Sequence, residues 1–415
     1  MRIAIFTDFF LPHIGGVETS IFHQQRALLA AGHEVFVLTP PMKGAGIIDD
    51  AAENVIRLKS PVNIRFDGMG IYLYNRNIYK TLDEFKPELI HFETEFNMAA
   101  LAIRYAKSRN LPLFYTAHTF ITPQIQYLMK NPRVMAELSV LGQKIFLGKY
   151  RPKDHFTAID GLFGIPASTP AEKIILDVWM KLAKIPDFIL APSQRMIDYI
   201  GHYHPEKPRY VIPNPFASEV MEKAPVEPVH APIRLVTSFV LRPEKRPEIL
   251  IEAYGLLSPE ERQRLKIDMY GGGVLLDKMR RLVKEKGLGE GIELHGSVPT
   301  EELHRAKIDS DVMVSTSYGF DNQPMMFLEA LAAGCAILYC DPYLREGTNK
   351  NNSILVEPTA ESFAAGLRRI INSPSDITFM KQASKKSAKD FNYQSYGAKF
   401  NKILEDLANS RLHSE

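Results

Sequence analysis

The sequence predicts an α/β chain made of two Rossmann-like, doubly wound units in tandem, and three observations carry that prediction. At 415 residues the chain exceeds what one hydrophobic core organises, so two domains of about 200 residues each are expected. Short apolar runs alternate with helical stretches, the pattern of a parallel sheet covered on both faces. The alternation is interrupted at residues 217–232, ASEVMEKAPVEPVHAP, where three prolines and the lack of a clear period read as an interdomain linker.

The first series opens with a buried strand at Ile3–Phe6. Gly15-Gly16 follows, then a helical run from about Val17 to Ala31 that Gly32 stops. Val35–Leu38 is the next strand, and Leu89–Phe92, Leu113–Tyr115, Phe188–Ala191 and Tyr210–Ile212 repeat it. Beyond the linker the strands are Leu235–Phe239, Ile267–Tyr270, Ile292–Leu294, Val312–Val314 and Ala336–Leu338. The last segment, SYGAKFNKILEDLANSRL, is an amphipathic helix with Tyr396, Phe400, Ile403, Leu404 and Leu407 on one face. The expected domains are residues 1–217 and 218–393. In such sheets ligands sit beyond the carboxyl ends of the strands, so the loops there are where chemistry is sought.

Composition excludes several classes. A net charge of +2 is far from the basic excess of a nucleic-acid binder. The two cysteines, Cys335 and Cys340, share one apolar segment and read as buried core residues rather than a disulfide or a metal site. The N-terminus, MRIAIFTDFFLP, reads as a first strand rather than a signal peptide. Residues 111–129 lack Asp, Glu, Lys and Arg, but their prolines, glutamines and threonines argue against a membrane span. A soluble or peripheral protein is expected.

The most informative stretch is residues 315–334, STSYGFDNQPMMFLEALAAG. Asp321 stands eight positions before Glu329, with a turn and the start of an apolar helix between them. The free N–H groups at a helix start favour an anion such as a diphosphate. Glu329 suits ribose hydroxyls and Asp321 a sugar ring, or the two flank a solvated turn and an ordinary buried helix.

Other candidates sit in loops after strands. Gly15-Gly16 either lets the backbone approach a ligand or makes a tight turn, and its spacing is not that of a nicotinamide or flavin fingerprint. Arg242 and Lys245 follow the strand that opens the second domain, where cations suit a diphosphate, or they form a solvated loop. Gly271-Gly272-Gly273 can pass tightly beside a ligand or a helix. His295-Gly296-Ser297-Val298 can read the edge of a planar base or make a simple turn. His118 can position a substrate hydroxyl or phosphate, or be structural, and His91 offers the same more weakly. Asp309-Ser310-Asp311 runs straight into a strand, so its carboxylates read as solvated strand-entry residues rather than a metal motif. In residues 130–153, Lys130, Arg133, Lys144, Lys149, Arg151 and Lys153 oppose the single acid Glu137. Val134, Leu138, Leu141 and Ile145 share one helical face. That segment suits an anionic membrane surface or a core-packed helix with a wet face.

Together these pieces resemble the retaining glycosyltransferases of family 4, which have the GT-B architecture. The resemblance runs from IAIFTDFFLPHIGGVE through LAPSQRMIDYI, YVIPNPF, RPEKRPEILIEAY, MYGGG and IELHGSV to the FLEALAAG segment, nearly the whole chain. It implies two Rossmann-like domains facing a central cleft, with the C-terminal helix, about 394–415, returning to the N-terminal domain. The N-terminal domain would bind the acceptor and the C-terminal domain the nucleotide sugar. By the same resemblance Glu329 holds the ribose and Asp321 touches the donor sugar. The amides of Met325 and Met326 hold the diphosphate, Lys245 is the family lysine, and Gly15 and Gly16 form the N-terminal loop. His118 is then the active-site histidine, and Gly296, Ser297 and Val298 lie beside the base.

Three positions depart from the family pattern. Asp321 stands where Glu is commoner, Pro324 where Gly is usual, and the arginine five before the lysine falls on Val240. Arg242, two residues on, would share that face of a strand.

The implied activity is transfer of a hexose from a nucleoside diphosphate sugar to a hydroxyl acceptor (a glycolipid, a polysaccharide or a small molecule) with retention at the anomeric carbon. Arg242, Lys245 and the helix amides would stabilise charge on the departing diphosphate, so no metal and no cofactor are expected. The location expected is cytoplasmic, including the inner face of the membrane. Alternatives are a non-catalytic GT-B subunit that supports a partner and a sugar-nucleotide epimerase of the same fold.

Overall fold

The structure, a computed structural model, describes residues 1–11, 15–40, 54–58, 64–66, 69–71, 77–128, 131–146, 162–165 and 169–412. The chain divides into two compact units, Met1–Pro215 with Asn392–Glu415, and Phe216–Phe391.

The first unit contains β1 (Arg2–Phe6), β2 (Glu34–Thr39), β3 (Val55–Arg57), a hairpin of β4 (Ile64–Phe66) and β5 (Met69–Ile71), then β6 (Leu89–Phe92), β7 (Leu113–Thr116), β8 (Phe188–Ala191) and β9 (Arg209–Val211). Its main sheet is parallel throughout, in the order β3-β2-β1-β6-β7-β8-β9. Strand β1 shows why such strands read as unbroken apolar runs. Ile3 and Ile5 enter one core and Ala4 and Phe6 the other, because successive side chains point to opposite faces and both faces are covered.

The helix Tyr393–Leu412 closes one of those cores. Tyr396, Phe400, Ile403 and Leu407 are buried against Ile3, Ile5, Ile21 and Phe114, and Leu404 packs beside them, so the amphipathic face predicted from sequence is the one that packs. Its helix partner is Gly16–Ala30.

The second unit contains β10 (Ile233–Ser238), β11 (Leu265–Tyr270), β12 (Ile292–Gly296), β13 (Val312–Ser315), β14 (Ala336–Tyr339) and β15 (Ser353–Leu355). Its order is β12-β11-β10-β13-β14-β15, all parallel. Numbered within the unit this is 3-2-1-4-5-6, the doubly wound order whose reversal lies between the first and fourth strands. In the first unit the reversal falls between β1 and β6.

Two expectations change. The stretch 217–232 is not a free linker. It carries a helical turn, Glu219–Lys223, whose Met221 is fully buried in the second unit's core beside Phe327 and Leu331, so the hydrophobic term fixes part of it. Strands β3 and β15 were not foreseen, because three residues at a sheet edge carry too little alternation to stand out.

Candidate active site

The reversal point of the second sheet gathers Arg242, Lys245 and Asp321 and the start of the helix that carries Met325, Met326 and Glu329. The loop after β10 presents Arg242, exposed, as the N-cap of a single helical turn, Pro243–Lys245. The loop after β13 presents Asp321. These are neighbouring strands, and the Lys245 Nζ donates to Asp321 Oδ1 at 2.5 Å, both side chains being largely buried. The Thr316 hydroxyl donates to the Lys245 carbonyl at 2.6 Å and ties the two loops together from behind. The Phe320 ring lies 5.1 Å below the Lys245 ammonium, a cation–π contact. The cation and the acid expected at the donor site are therefore a pair in this structure. Val240 is exposed on the same loop, with Arg242 next to it in the exposed set.

The helix Met325–Ala333 begins immediately after Pro324, its N-cap. Met325 and Met326 are its first two residues, so their N–H groups precede the first intrahelical acceptor and stand at the positive end of the helix dipole. One turn further on, the Glu329 carboxylate accepts from the Nζ of Lys307, a lysine with no exposed side-chain surface.

Gly271-Gly272-Gly273 serves the backbone of its own unit. Gly271 and Gly273 have φ of +124° and +141°, and a Cβ on them would stand 2.0 Å from the Phe239 carbonyl oxygen and 2.5 Å from that of Leu241. The Leu241 N–H donates to the Gly272 carbonyl at 2.8 Å. The glycine loop thus packs against the segment that leads to Arg242 and Lys245 and holds it. Gly296 has a positive φ as well, and its carbonyl accepts from the Gly271 N–H at 2.7 Å, which sets the Gly296-Ser297-Val298 turn beside that loop. Ser297 is exposed and Val298 half-buried.

In the first unit the polar groups again collect at the carboxyl ends of β1, β6 and β7. His118 is nearly buried, and its Nε2 lies 2.6 Å from Glu93 Oε2. Glu93 has no exposed side-chain surface. Gln24 approaches the same oxygen at 3.5 Å, and its own carbonyl oxygen accepts from the Tyr396 hydroxyl at 2.8 Å. Burial alone would raise the Glu93 carboxyl. The neighbouring His91 and His118 rings, with Gln24, more than offset it and hold it below the ordinary value.

Two other carboxyls here, Asp8 buried and Glu95 half-buried, are pushed the other way. Burial raises Asp8 to about 6, against bonds from the Thr94 hydroxyl and the Met98 N–H. Burial raises Glu95 to about 7, against a bond from the Tyr115 hydroxyl at 2.5 Å. Asp8 and Thr94 span the reversal point between β1 and β6.

The family model described as Glycosyltransferase Family 4 matches residues 14–219, and that described as Glycosyl transferases group 1 matches residues 222–390. The chain belongs to glycosyltransferase family 4.

Among curated relatives, this family 4 enzyme is 26% identical over 366 residues to an alpha-monoglucosyldiacylglycerol synthase of Acholeplasma laidlawii, covering 84% of each chain. It is 22% identical over 360 residues to the protein of the same name in Streptococcus pneumoniae, covering 83% of this chain and 72% of the relative. Among solved structures it shares the fold of Anabaena HepE, solved in complex with UDP, with a TM-score of 0.67, 14% identity, and 98% and 100% of the two chains covered. The fold is GT-B, and the enzyme is a hexosyltransferase, which sets aside the epimerase reading.

The remaining candidates of the family 4 enzyme stand as follows. Gly15 is the N-cap of the helix Gly16–Ala30 with extended φ of −154°, and neither glycine has positive φ, so left-handed backbone is not what they supply. A Cβ on Gly16 would meet nothing within 4 Å, whereas one on Gly15 would crowd the Glu18 carboxylate. Asp311 is not solvated. Its carboxylate accepts from the Arg234 N–H at 3.0 Å and from Lys381 Nζ at 2.7 Å, locking the start of β13. Cys335 and Cys340 are free, buried thiols pushed up to about 12 by burial. Val134, Leu138 and Leu141, on the helix Pro132–Phe146, are 47%, 43% and 50% exposed, while Ala136 is buried, so this row is not the core-packed face. Lys130, Lys149, Arg151 and Lys153 lie outside the described residues, as do the side chains of Lys144 and Ile145.

Sequence reasoning missed Glu93 and Lys307. The signal for Glu93 was its place two residues after His91 at the end of an apolar strand, which puts both side chains on one face. Lys307 sits in the last turn of the helix Thr300–Ile308, whose sequence, TEELHRAKI, gives it no distinction from its charged neighbours.

Proposed function

We propose that the chain transfers a hexose, with retention, from a nucleoside diphosphate sugar to a hydroxyl of a diacylglycerol-type lipid at a membrane surface. The second unit takes the donor and the first the acceptor. Glu329 receives the ribose hydroxyls, the amides of Met325 and Met326 and the cations Arg242 and Lys245 receive the diphosphate, and Asp321 receives the sugar. Gly296, Ser297 and Val298 lie along the base, and Gly15 and Gly16 leave room for the donor. As the anomeric bond breaks, charge grows on the diphosphate, and fixed cations and amides stabilise it without reorganising. The acceptor oxygen attacks the face that the diphosphate leaves, with the leaving phosphate taking the proton. His118, held by Glu93, positions the reacting hydroxyls. The charge stabilisation is assigned to these residues, so turnover should survive chelation by EDTA.

The observation that carries the lipid acceptor is the exposed row Val134, Leu138 and Leu141. An apolar stripe on the surface of the acceptor unit suits the interface of a bilayer. The name of the 26% identical relative supports a diacylglycerol-type substrate. Among the described residues no helix is long and apolar enough to cross a membrane, so the attachment proposed is peripheral. The departures Val240 and Pro324 do not favour a silent partner subunit, since Lys245, Asp321, Glu329 and His118, to which the proposal assigns the reaction, are all present in the chain.

The test is a product assay with UDP-glucose, UDP-galactose and GDP-mannose, each with vesicles that contain or lack diacylglycerol. Expected is nucleoside diphosphate release that depends on diacylglycerol, and a monohexosyl lipid with retained configuration. Release that a soluble saccharide supports and diacylglycerol does not would overturn the lipid acceptor.

A further inference from the structure

We propose that Lys307 is a positioning residue for the donor site, holding Glu329 in the orientation that accepts a ribose diol. The proposal rests on the reading of Glu329 as the ribose-holding carboxylate. Three observations carry it. First, the Lys307 side chain is completely buried, in the last turn of the helix Thr300–Ile308, which packs on the helix Met325–Ala333. The helix that carries it and the helix Met325–Ala333 contribute Leu303, Phe327, Leu328 and Leu331 to one hydrophobic cluster, with His304 and Cys335 also close enough to feel its charge. An ammonium in such a place is stable only when paired. Second, its ion partner is Glu329 Oε2, and the Glu329 side chain keeps 15% of its surface exposed. The lysine therefore holds one carboxylate oxygen while the side chain keeps part of its surface open. Third, the backbone of Lys307 is anchored, its carbonyl accepting from the Cys335 thiol at 3.1 Å.

A glutamate side chain on a helix otherwise samples several rotamers, and fixing it on binding costs entropy. Here that ordering is done in the free protein. A carboxylate offers about four lone-pair positions, so a bond to one lysine does not by itself exclude a ribose diol. The arrangement also couples two parts of the donor site. The helix that carries Lys307 starts directly after Gly296-Ser297-Val298 and Pro299, the turn assigned to the base. One short segment therefore places the turn beside the base and, two turns later, the lysine that holds the ribose acceptor.

The experiment compares ribose recognition in the unmodified chain, Lys307→Met, Lys307→Arg, Glu329→Gln and the double variant Lys307→Met/Glu329→Gln. Calorimetry identifies which of UDP, GDP and ADP the unmodified chain binds most tightly, and that nucleotide is compared with its 2′,3′-dideoxy counterpart. The expected ribose preference of the unmodified chain is about tenfold or more, as for a lost charged hydrogen bond. Lys307→Met and Glu329→Gln each reduce it to about threefold or less, and the double variant goes no further, because the two act as one unit. If Lys307→Met does not fold, Lys307→Arg carries the test. It keeps the charge pair and changes its geometry, so the preference falls if Lys307 positions the carboxylate and stays if it only stabilises the fold. A preference lost in Glu329→Gln but intact in the Lys307 variants overturns the proposal and leaves the ribose role of Glu329 standing. A preference intact in Glu329→Gln overturns the ribose role itself.

Discussion

Lys245 and Asp321, 76 residues apart in the chain, meet as an ion pair at the point where the strand order of the second sheet reverses. The pairing gives each a partner in the free protein. A diphosphate sugar brings its own charge and hydroxyls to the same place and would redistribute the contacts of both. Lys245→Ala is expected to lower kcat/KM by about 10²–10³, the usual loss for one fixed donor to a developing anion. Melting should change less, because the pair joins two loops rather than elements of the hydrophobic core. Steady-state kinetics beside a thermal melt decides it, and a variant that loses activity only in proportion to its folded fraction would remove Lys245 from the chemistry.

Glu93 should matter to His118 more than to the fold. With Glu93→Gln the side chain keeps its size and one acceptor oxygen but loses the charge that faces the ring. A drop in kcat of about tenfold or more is expected, in line with general acid–base contributions, with a displaced pH–rate profile. A pH profile that keeps its shape would show that the pair is structural.

The half-buried carboxyl of Glu95 gives a stability prediction with a defined sign. Its pKa rises from 4.5 to about 7 on folding, so the folded state holds its proton more tightly than the unfolded state. That contribution is complete below pH 4.5 and is lost as the pH rises through about 7. Glu95→Gln, which keeps an acceptor for the Tyr115 hydroxyl, removes the titration. The variant should match the unmodified chain at pH 4.5 and exceed it at pH 8 by about 1 kcal/mol or more, one pKa unit being about 1.4 kcal/mol. Urea titrations at the two pH values measure it, and equal gaps at both would contradict the raised titration of this group.

The exposed row on the helix Pro132–Phe146 supplies a fourth test. Substitution of Val134, Leu138 and Leu141 by Gln removes apolar surface that no core among the described residues uses, so stability should stay within about 0.5 kcal/mol for each position. Co-sedimentation with anionic vesicles at low salt should fall several-fold. Full retention on the vesicles would move any membrane contact elsewhere on the chain.

Much of the fold was legible because parallel strands covered on both faces declare themselves as apolar runs. Leu89–Phe92 and Phe188–Ala191 have the bounds read from sequence. The terminal helix was legible because Tyr396, Phe400, Ile403 and Leu407 repeat at helical spacing on a face that is buried. The donor loops were legible as residue types at strand ends. Their pairings were not. Lys307 reaches Glu329 across 22 residues and His118 reaches Glu93 across 25, and nothing local distinguishes such a residue from a solvated neighbour. Residues 217–232 misled because prolines mark irregular backbone without saying whether it packs, and Met221 does pack.

The helix Tyr393–Leu412 fills the core of the first unit and, through Tyr396 and Gln24, reaches the Glu93–His118 pair. A ribosome makes this helix only after the whole second unit has been made. The nascent first unit therefore spends the synthesis of residues 216–391 with Phe10, Ile21 and Phe114 lacking their final cover, and the second unit is the first whose sequence is complete. Ordering around His118 becomes one of the last events in the life of the new chain, so a message cut short before codon 393 would yield a finished second unit joined to an unfinished first one.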